Sequence, residues 1–250
     1  MRLYLTGKMA IEGAERTISE SEFPGRQGRL LFAYLVCADG RPVPRDAIAE
    51  VLWPGALPAA PEAGIAAIVS KLRNLLARSR VTSMASIESG LGFYQLRLSP
   101  ETWIDLFYAA QLVEQAESAA RQGDSERAWD AAFLAAVILR RPFLPDERVP
   151  WTEKRREEMR TDLVRALDVL CDGWLARRDP VKATLTATEL VDLDPFRETA
   201  YQRLMRAHAI AGNRAEALLV YNRCRRLLSD ELGVDPSPPT EAVYLEILRA

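Results

Sequence analysis

The chain has 250 residues, 48% hydrophobic and 27% charged, with a formal net charge of -2; this is a soluble composition with apolar material for one or two small cores. Its longest uninterrupted apolar runs, residues 30–38 and 131–139, are about half of the roughly 18 residues that suggest a membrane span, so no transmembrane helix is expected. A single histidine, His208, and three dispersed cysteines, Cys37, Cys171 and Cys224, exclude multi-histidine metal sites and argue against a disulfide framework, a zinc site or a redox function.

Residues 2–18 read as short antiparallel strands: Arg2-Leu3-Tyr4-Leu5 alternates polar and apolar residues, Glu12-Gly13 marks a turn, and Arg16-Thr17-Ile18 supplies the next strand. Across residues 27–38, Leu30, Leu31, Tyr34, Leu35 and Cys37 have helical spacing, and Asp39-Gly40 is the stop. A second, short helix is expected from Val43-Pro44-Arg45-Asp46, with proline in its first turn, burying Ile48, Val51 and Leu52 before Trp53-Pro54 ends it. Pro61 opens a third helix, where Ile65, Ile68, Val69, Leu72, Leu75 and Leu76 recur at intervals of three and four. Residues 86–88 and 93–98 flank Ser89-Gly90-Leu91-Gly92, with Tyr94, Leu96 and Leu98 alternating with Gln95 and Arg97, which describes a hairpin. Strands, three helices and a closing hairpin make residues 1–98 a winged helix-turn-helix.

From Trp103 onward the strand signal disappears and helix follows helix. Asp179 and Asn213 stand 34 residues apart, each just before a helix, and the same offset links Ala183 with Ala217, Ala187 with Tyr221, and Leu190 with Cys224. A 34-residue period is that of tetratricopeptide helix pairs, in which small residues let helices approach and larger ones fill the space between them. Gly123-Asp124 with Ala128, Ala132 and Ala135 looks like an earlier copy, displaced by 55 residues. Asp179-Pro180 and Asp194-Pro195 both read as an N-cap followed by a first-turn proline. The expected fold is mainly α with a small β component: a winged helix-turn-helix over residues 1–98, then an α-solenoid of tetratricopeptide-like helix pairs over residues 103–250.

No G-x-x-x-x-G-K-[ST] loop, G-x-S-x-G elbow or H-E-x-x-H pair is present, and Gly90-Leu91-Gly92 fails as a dinucleotide fingerprint because Gln95 replaces the third glycine. No motif surrounds His208, which reads as a structural or surface residue. The reading is binding rather than catalysis, with no cofactor, no metal and no membrane partner. Because residues 1–6 lack the apolar stretch of a secretory signal, a cytoplasmic location is expected. Charge is distributed unevenly: residues 1–102 hold 12 Lys and Arg against 10 Asp and Glu, and residues 103–250 hold 21 against 25. Within residues 64–97, Lys71, Arg73, Arg78, Arg80 and Arg97 stand against Glu88 alone, a patch of the sign that attracts phosphate. Trp103, Trp129, Trp151 and Trp174 are expected to pack between helices, and residues 153–158 to form a mixed-charge helix face with i to i+4 pairs.

Several stretches invite comparison with a family: Arg29-Leu30-Leu31 with Ala33-Tyr34-Leu35, VPRDAIAEVLW at 43–53, VSKLR at 69–73 and GFYQL at 92–96, then RRPFLP at 140–145, RLMR at 203–206, GNRAEAL at 212–218, YNRCR at 221–225 and ELGVDP at 231–236. Through these the whole chain resembles bacterial regulators that join an OmpR-type winged helix to a bacterial transcriptional activator domain, the architecture of the Streptomyces antibiotic regulatory proteins. The resemblance implies a cytoplasmic transcription factor, usually an activator. Its winged helix would bind double-stranded promoter DNA, and its helical half would serve regulation, dimerisation, or contact with RNA polymerase or another regulatory protein.

On a helical wheel of the third helix, Ile65, Leu72 and Leu76 face inward and Ala63, Ala67, Ser70 and Asn74 outward, with Ala66 and Arg73 on one border and Lys71 on the other. Lys71 and Arg73 are candidates for phosphate or guanine contacts, Ser70 and Asn74 for polar contacts, and Arg45 and Arg97 for backbone positioning. Arg26 and Arg29 are secondary candidates. Where relatives carry polar or basic residues in the first turns of this helix, the chain has Glu62, Ala63, Gly64, Ala66 and Ala67. Glu62 repels phosphate, and Gly64 costs about 1 kcal/mol of helix propensity relative to Ala. Two readings stand: alanines contact thymine methyl groups and DNA shape supplies further specificity, or the chain is a tetratricopeptide scaffold or co-regulator whose winged helix has lost sequence-specific binding.

Overall fold

The computed structural model describes residues 1–78 and 85–249. They form two compact units, one of Met1–Ala109 with Ile138–Met159 and one of Ala110–Val137 with Arg160–Ala250.

In the first unit, β1 (Arg2–Tyr4), β2 (Ala10–Glu12) and β3 (Thr17–Ile18) form an antiparallel meander. Leu3, Ile11 and Ile18 all point to its buried face. A short 3-10 turn, Glu20–Glu22, leads into α1 (Gly25–Cys37). Then come β4 (Val43–Pro44), α2 (Arg45–Leu52), α3 (Pro61–Arg78), β5 (Ala85–Gly90), β6 (Phe93–Leu98) and β7 (Trp103–Ile104). The three helices pack on one another, with α1 also against β6 and α3 against β5. Their core is Leu30, Leu31, Leu35, Ile48, Ile65, Leu72 and Leu96, all below 3% exposed.

Three local expectations are corrected here. Val43–Pro44 is not the start of α2 but a strand antiparallel to β6, with Val43 opposite Tyr94 and Pro44 opposite Phe93. It is the edge of a sheet ordered β4-β6-β5, where a proline without an N–H is tolerated. Gln95, a polar residue in the alternation of β6, is buried, and its side-chain amide donates to the Gly40 carbonyl. Trp103–Ile104 is a strand after all: it runs parallel to β1, pairing Trp103 with Arg2 and Ile104 with Leu3. Directly after it, the fully buried Asp105 carboxylate accepts hydrogen bonds from the Leu5 and Thr6 amides, the Thr6 hydroxyl and the Leu106 amide. Residues 141–149 are held by Arg156, which donates to the carbonyls of Phe143, Leu144 and Glu147. The charged run beside it carries the i,i+3 pairs Arg156–Glu153 and Arg155–Glu158.

Helices α4 (Asp105–Arg121), α5 (Ser125–Leu139) and α6 (Pro150–Ala176) precede α7 (Pro180–Leu193), α8 (Glu198–Ile210), α9 (Arg214–Leu232) and α10 (Pro238–Arg249). In the second unit α8 packs between α7 and α9, and α10 closes on both α8 and α9. The residues linked by the 34-residue offset are all buried: Ala183, Ala187 and Leu190 in α7, and Ala217, Tyr221 and Cys224 in α9. Asp179 caps α7 by accepting from the Lys182 amide at 3.1 Å, with Pro180 in the first turn. Asp194-Pro195 does not repeat this. Asp194 ends α7, its own N–H still bonded to Leu190, and α8 starts only at Glu198 after an Arg197 N-cap. An Asp-Pro pair therefore serves there as the turn between antiparallel helices.

Aromatic packing follows unit by unit. Trp103 meets Tyr4 and Trp151 meets Tyr34 in the first, while Trp129 meets both Trp174 and Phe133 in the second. The three thiols are free, and burial pushes Cys37 up to about 11, Cys171 to about 12 and Cys224 to about 11. Such thiols are protonated and weakly nucleophilic at neutral pH. Among the described residues no helix is long and apolar enough to cross a membrane.

Candidate nucleic-acid interface

The orientation of α3 is fixed from inside. Ile65, Ile68, Val69, Leu72 and Leu76 are buried, and helical geometry then places Ala63, Ala67, Ser70 and Asn74 along the middle of the opposite face. Ala66 and Arg73 border that face on one side, Lys71 and Arg78 on the other, and all eight side chains are exposed. Gly64 has a packing reason that its helix propensity hides. A Cβ there would lie 3.0 Å from the ring edge of Trp53, so glycine lets the indole at the end of α2 sit directly against the first turns of α3.

The predicted contact residues divide into engaged and free. Arg45, in the first turn of α2, lies 3.2 Å from the Glu62 carboxylate, and its guanidinium carbon sits 5.5 Å from the centre of the Tyr94 ring. Arg73, though exposed, reaches the hairpin: its Nε donates to the Ile87 carbonyl at 2.9 Å and its Nη2 to the Ser89 hydroxyl at 3.3 Å. Arg97 pairs with Glu88 across β5 and β6 at 3.3 Å, with both side chains more than half exposed. Arg26 is bound to the buried Glu147 carboxylate and Arg29 lies 3.7 Å from Glu20. Lys71, Ser70 and Asn74 have no side-chain partner among the described residues and stand free on the outer face. Arg80 lies outside the described residues.

Two features were missed by sequence reasoning. One is the Arg45–Glu62 pair, which neutralises the carboxylate expected to repel phosphate. The other is Leu91, whose side chain is fully exposed at the turn between β5 and β6, where Gly92 takes the positive φ of +81° that closes the turn. An apolar residue between two turn glycines was the available signal.

This unit therefore carries an exposed helix with free polar and cationic groups beside a hairpin with an exposed tip. Among the described residues no group of three or more His, Cys, Asp or Glu side chains is placed to hold a metal ion. His208 is half-buried in the last turn of α8.

A profile of the bacterial transcriptional activator domain matches residues 104–248. The regulatory protein AfsR of Streptomyces coelicolor is 32% identical over 234 residues, covering 90% of this chain but 22% of AfsR. The transcriptional regulatory protein EmbR of Mycobacterium tuberculosis is 30% identical over 224 residues, covering 88% of this chain and 57% of EmbR. The regulatory protein DnrI of Streptomyces peucetius is 27% identical over 235 residues, covering 90% of this chain and 85% of DnrI. The chain thus spans about a fifth of AfsR and a little over half of EmbR. A solved structure of Mycobacterium tuberculosis EmbR, in complex with a low-affinity phosphopeptide, has a TM-score of 0.82 and 26% identity over 99% of this chain and 65% of that one.

Proposed function

Because the chain belongs to the bacterial transcriptional activator domain family, we propose that it is a DNA-binding transcriptional regulator acting as an activator. Residues 1–98 bind double-stranded promoter DNA as an OmpR-type winged helix, and residues 103–250 engage RNA polymerase, another regulatory protein or a second copy of the chain. The work is done in the cytoplasm and requires no catalysis. The observation that carries this reading is the free outer face of α3 beside the β5–β6 hairpin. A helix of this width fits the major groove, while flanking cations and the hairpin hold phosphates on either side. Lys71 serves the phosphate backbone, Ser70 and Asn74 face base edges, and Arg97 can exchange the exposed Glu88 carboxylate for phosphate. Arg45 positions the first turn of α3 through Glu62, and Arg73 fixes α3 to the hairpin.

Binding of the full chain to duplexes selected from a random library, measured against salt, tests the proposal. A log-log salt slope steeper than -2 and an enriched motif are expected; flat salt dependence with no enrichment would overturn it. The second reading, a tetratricopeptide scaffold with a silent winged helix, draws support from the engagement of Arg45 and Arg73 within the protein. It expects a protein partner whose binding survives Lys71→Ala, with no enriched DNA.

A further inference from the structure

The outer face of α3 is short of groups able to tell one base pair from another. Ala63, Ala66 and Ala67 offer only methyl groups in its first turns. Of the arginines flanking this face, Arg45 and Arg73 are held by Glu62 and by the hairpin, and Arg78 is the last residue of α3, on the border one turn beyond Asn74. Of the side chains left, Lys71 is a point charge on the border, and the rotating hydroxyl of Ser70 both donates and accepts, so it discriminates weakly. Asn74 lies on the middle line of the face, exposed and without a partner among the described residues. Its amide carries a donor and an acceptor in fixed geometry, which matches the adenine N6 donor and N7 acceptor in the major groove.

We propose that Asn74 is the specificity-determining residue of this winged helix and reads one adenine, with Ser70 on the neighbouring step and Lys71 on the adjoining phosphate. This rests on the DNA-binding reading above. Ser70 and Asn74 are one helical turn apart, about 5–6 Å between Cβ atoms, which is between one and two base steps of roughly 3.4 Å along a strand. The three residues therefore address one short stretch of a half-site rather than scattered positions.

The test uses the full chain and the duplex enriched from a random library. An adenine in each half-site is to be replaced by 7-deazaadenine, which keeps base pairing and removes the N7 acceptor. At the position read by Asn74, affinity is expected to fall roughly tenfold. Asn74→Ala is expected to lose the same factor, to be insensitive to the 7-deaza substitution, and to bind all four base pairs there nearly equally. Its salt slope and melting temperature should match those of the parent, since the side chain is exposed and no hydrogen bond or ion pair joins it to another described residue. A selected motif without an invariant adenine, or an Asn74→Ala variant that keeps the adenine preference, overturns the assignment while leaving DNA binding intact. Failure to enrich any duplex removes the DNA-binding reading itself, and the assignment with it.

Discussion

Replacing Arg73 by alanine separates a residue that builds the interface from one that touches DNA. Arg73 makes a 2.9 Å bond from Nε to the Ile87 carbonyl and a longer 3.3 Å bond to the Ser89 hydroxyl. A charge-assisted bond of this kind contributes about 1.5–3 kcal/mol; partial exposure and the length of the second bond favour the lower end, about 1.5 kcal/mol. At this chain size that lowers the melting temperature by roughly 3–6 °C. Lys71→Ala removes a side chain with no partner among the described residues and should change stability by less than about 0.5 kcal/mol, yet reduce the salt slope of duplex binding by about 0.9. Arg73→Ala should do the reverse, as should Arg73→Lys, because an ammonium keeps the charge but not the fork that spans both acceptors. Circular dichroism melting paired with anisotropy titrations at several salt concentrations checks both variants. An Arg73→Ala chain with unchanged melting and a slope reduced by about one would put this guanidinium on a phosphate and refute the reasoning.

Glu62→Ala removes a carboxylate and releases Arg45 from a 3.2 Å ion pair; duplex affinity should rise and the salt slope steepen by about 0.9, whereas an unchanged slope means Arg45 stays on the Tyr94 ring. Asp105→Ala strips the buried Leu5 and Thr6 amides of their acceptor and should destabilise the first unit by about 3 kcal/mol in urea unfolding; a loss under about 1 kcal/mol contradicts the role given to this carboxylate. Arg165 holds the Glu117 carboxyl below its ordinary 4.5 by a two-pronged hydrogen bond, so the stabilisation is present above that pH and is lost as pH falls through the lowered folded value. Glu117→Gln should therefore cost about 1 kcal/mol at pH 7 and nothing in strong acid, and a gap that persists there would contradict this assignment.

The helices were legible because their signals are local. Leu30, Leu31 and Leu35 in α1, and Ala183, Ala187 and Leu190 in α7, repeat within a turn or two and are buried as their spacing requires. Strand β7 was not legible, since two residues are too few for alternation and its partner β1 begins the chain. The outer face of α3 could be drawn from a wheel, but the fates of its arginines could not. Arg45 finds Glu62 17 residues on and Arg73 finds Ile87 14 residues on, the first closed only when α2 packs on α3 and the second only when the hairpin folds against α3. Gly64 looked like a cost for the same reason. Its benefit belongs to Trp53, which the wheel does not contain.

Counting basic residues overstated the electrostatic pull of this surface. Of the cations between residues 64 and 97 that the structure describes, Arg73 is committed to the hairpin and Arg97 is balanced by Glu88, leaving Lys71 and Arg78 on the border of α3. Each phosphate neutralised adds about 0.9 to the salt slope, so these two supply about 1.8. Arg97 adds a third contact at small cost, because an exposed pair is worth only about 0–1 kcal/mol. So few phosphate contacts give weak non-specific binding from one winged helix. A regulator with this surface gains useful affinity by placing two copies on adjacent half-sites, which doubles the phosphate contacts and the base-reading contacts together. On the DNA-binding reading proposed above, the acidic helical half, carrying 25 acidic against 21 basic residues over 103–250, adds no net attraction to phosphate, so the pull on DNA is expected to come from the winged half.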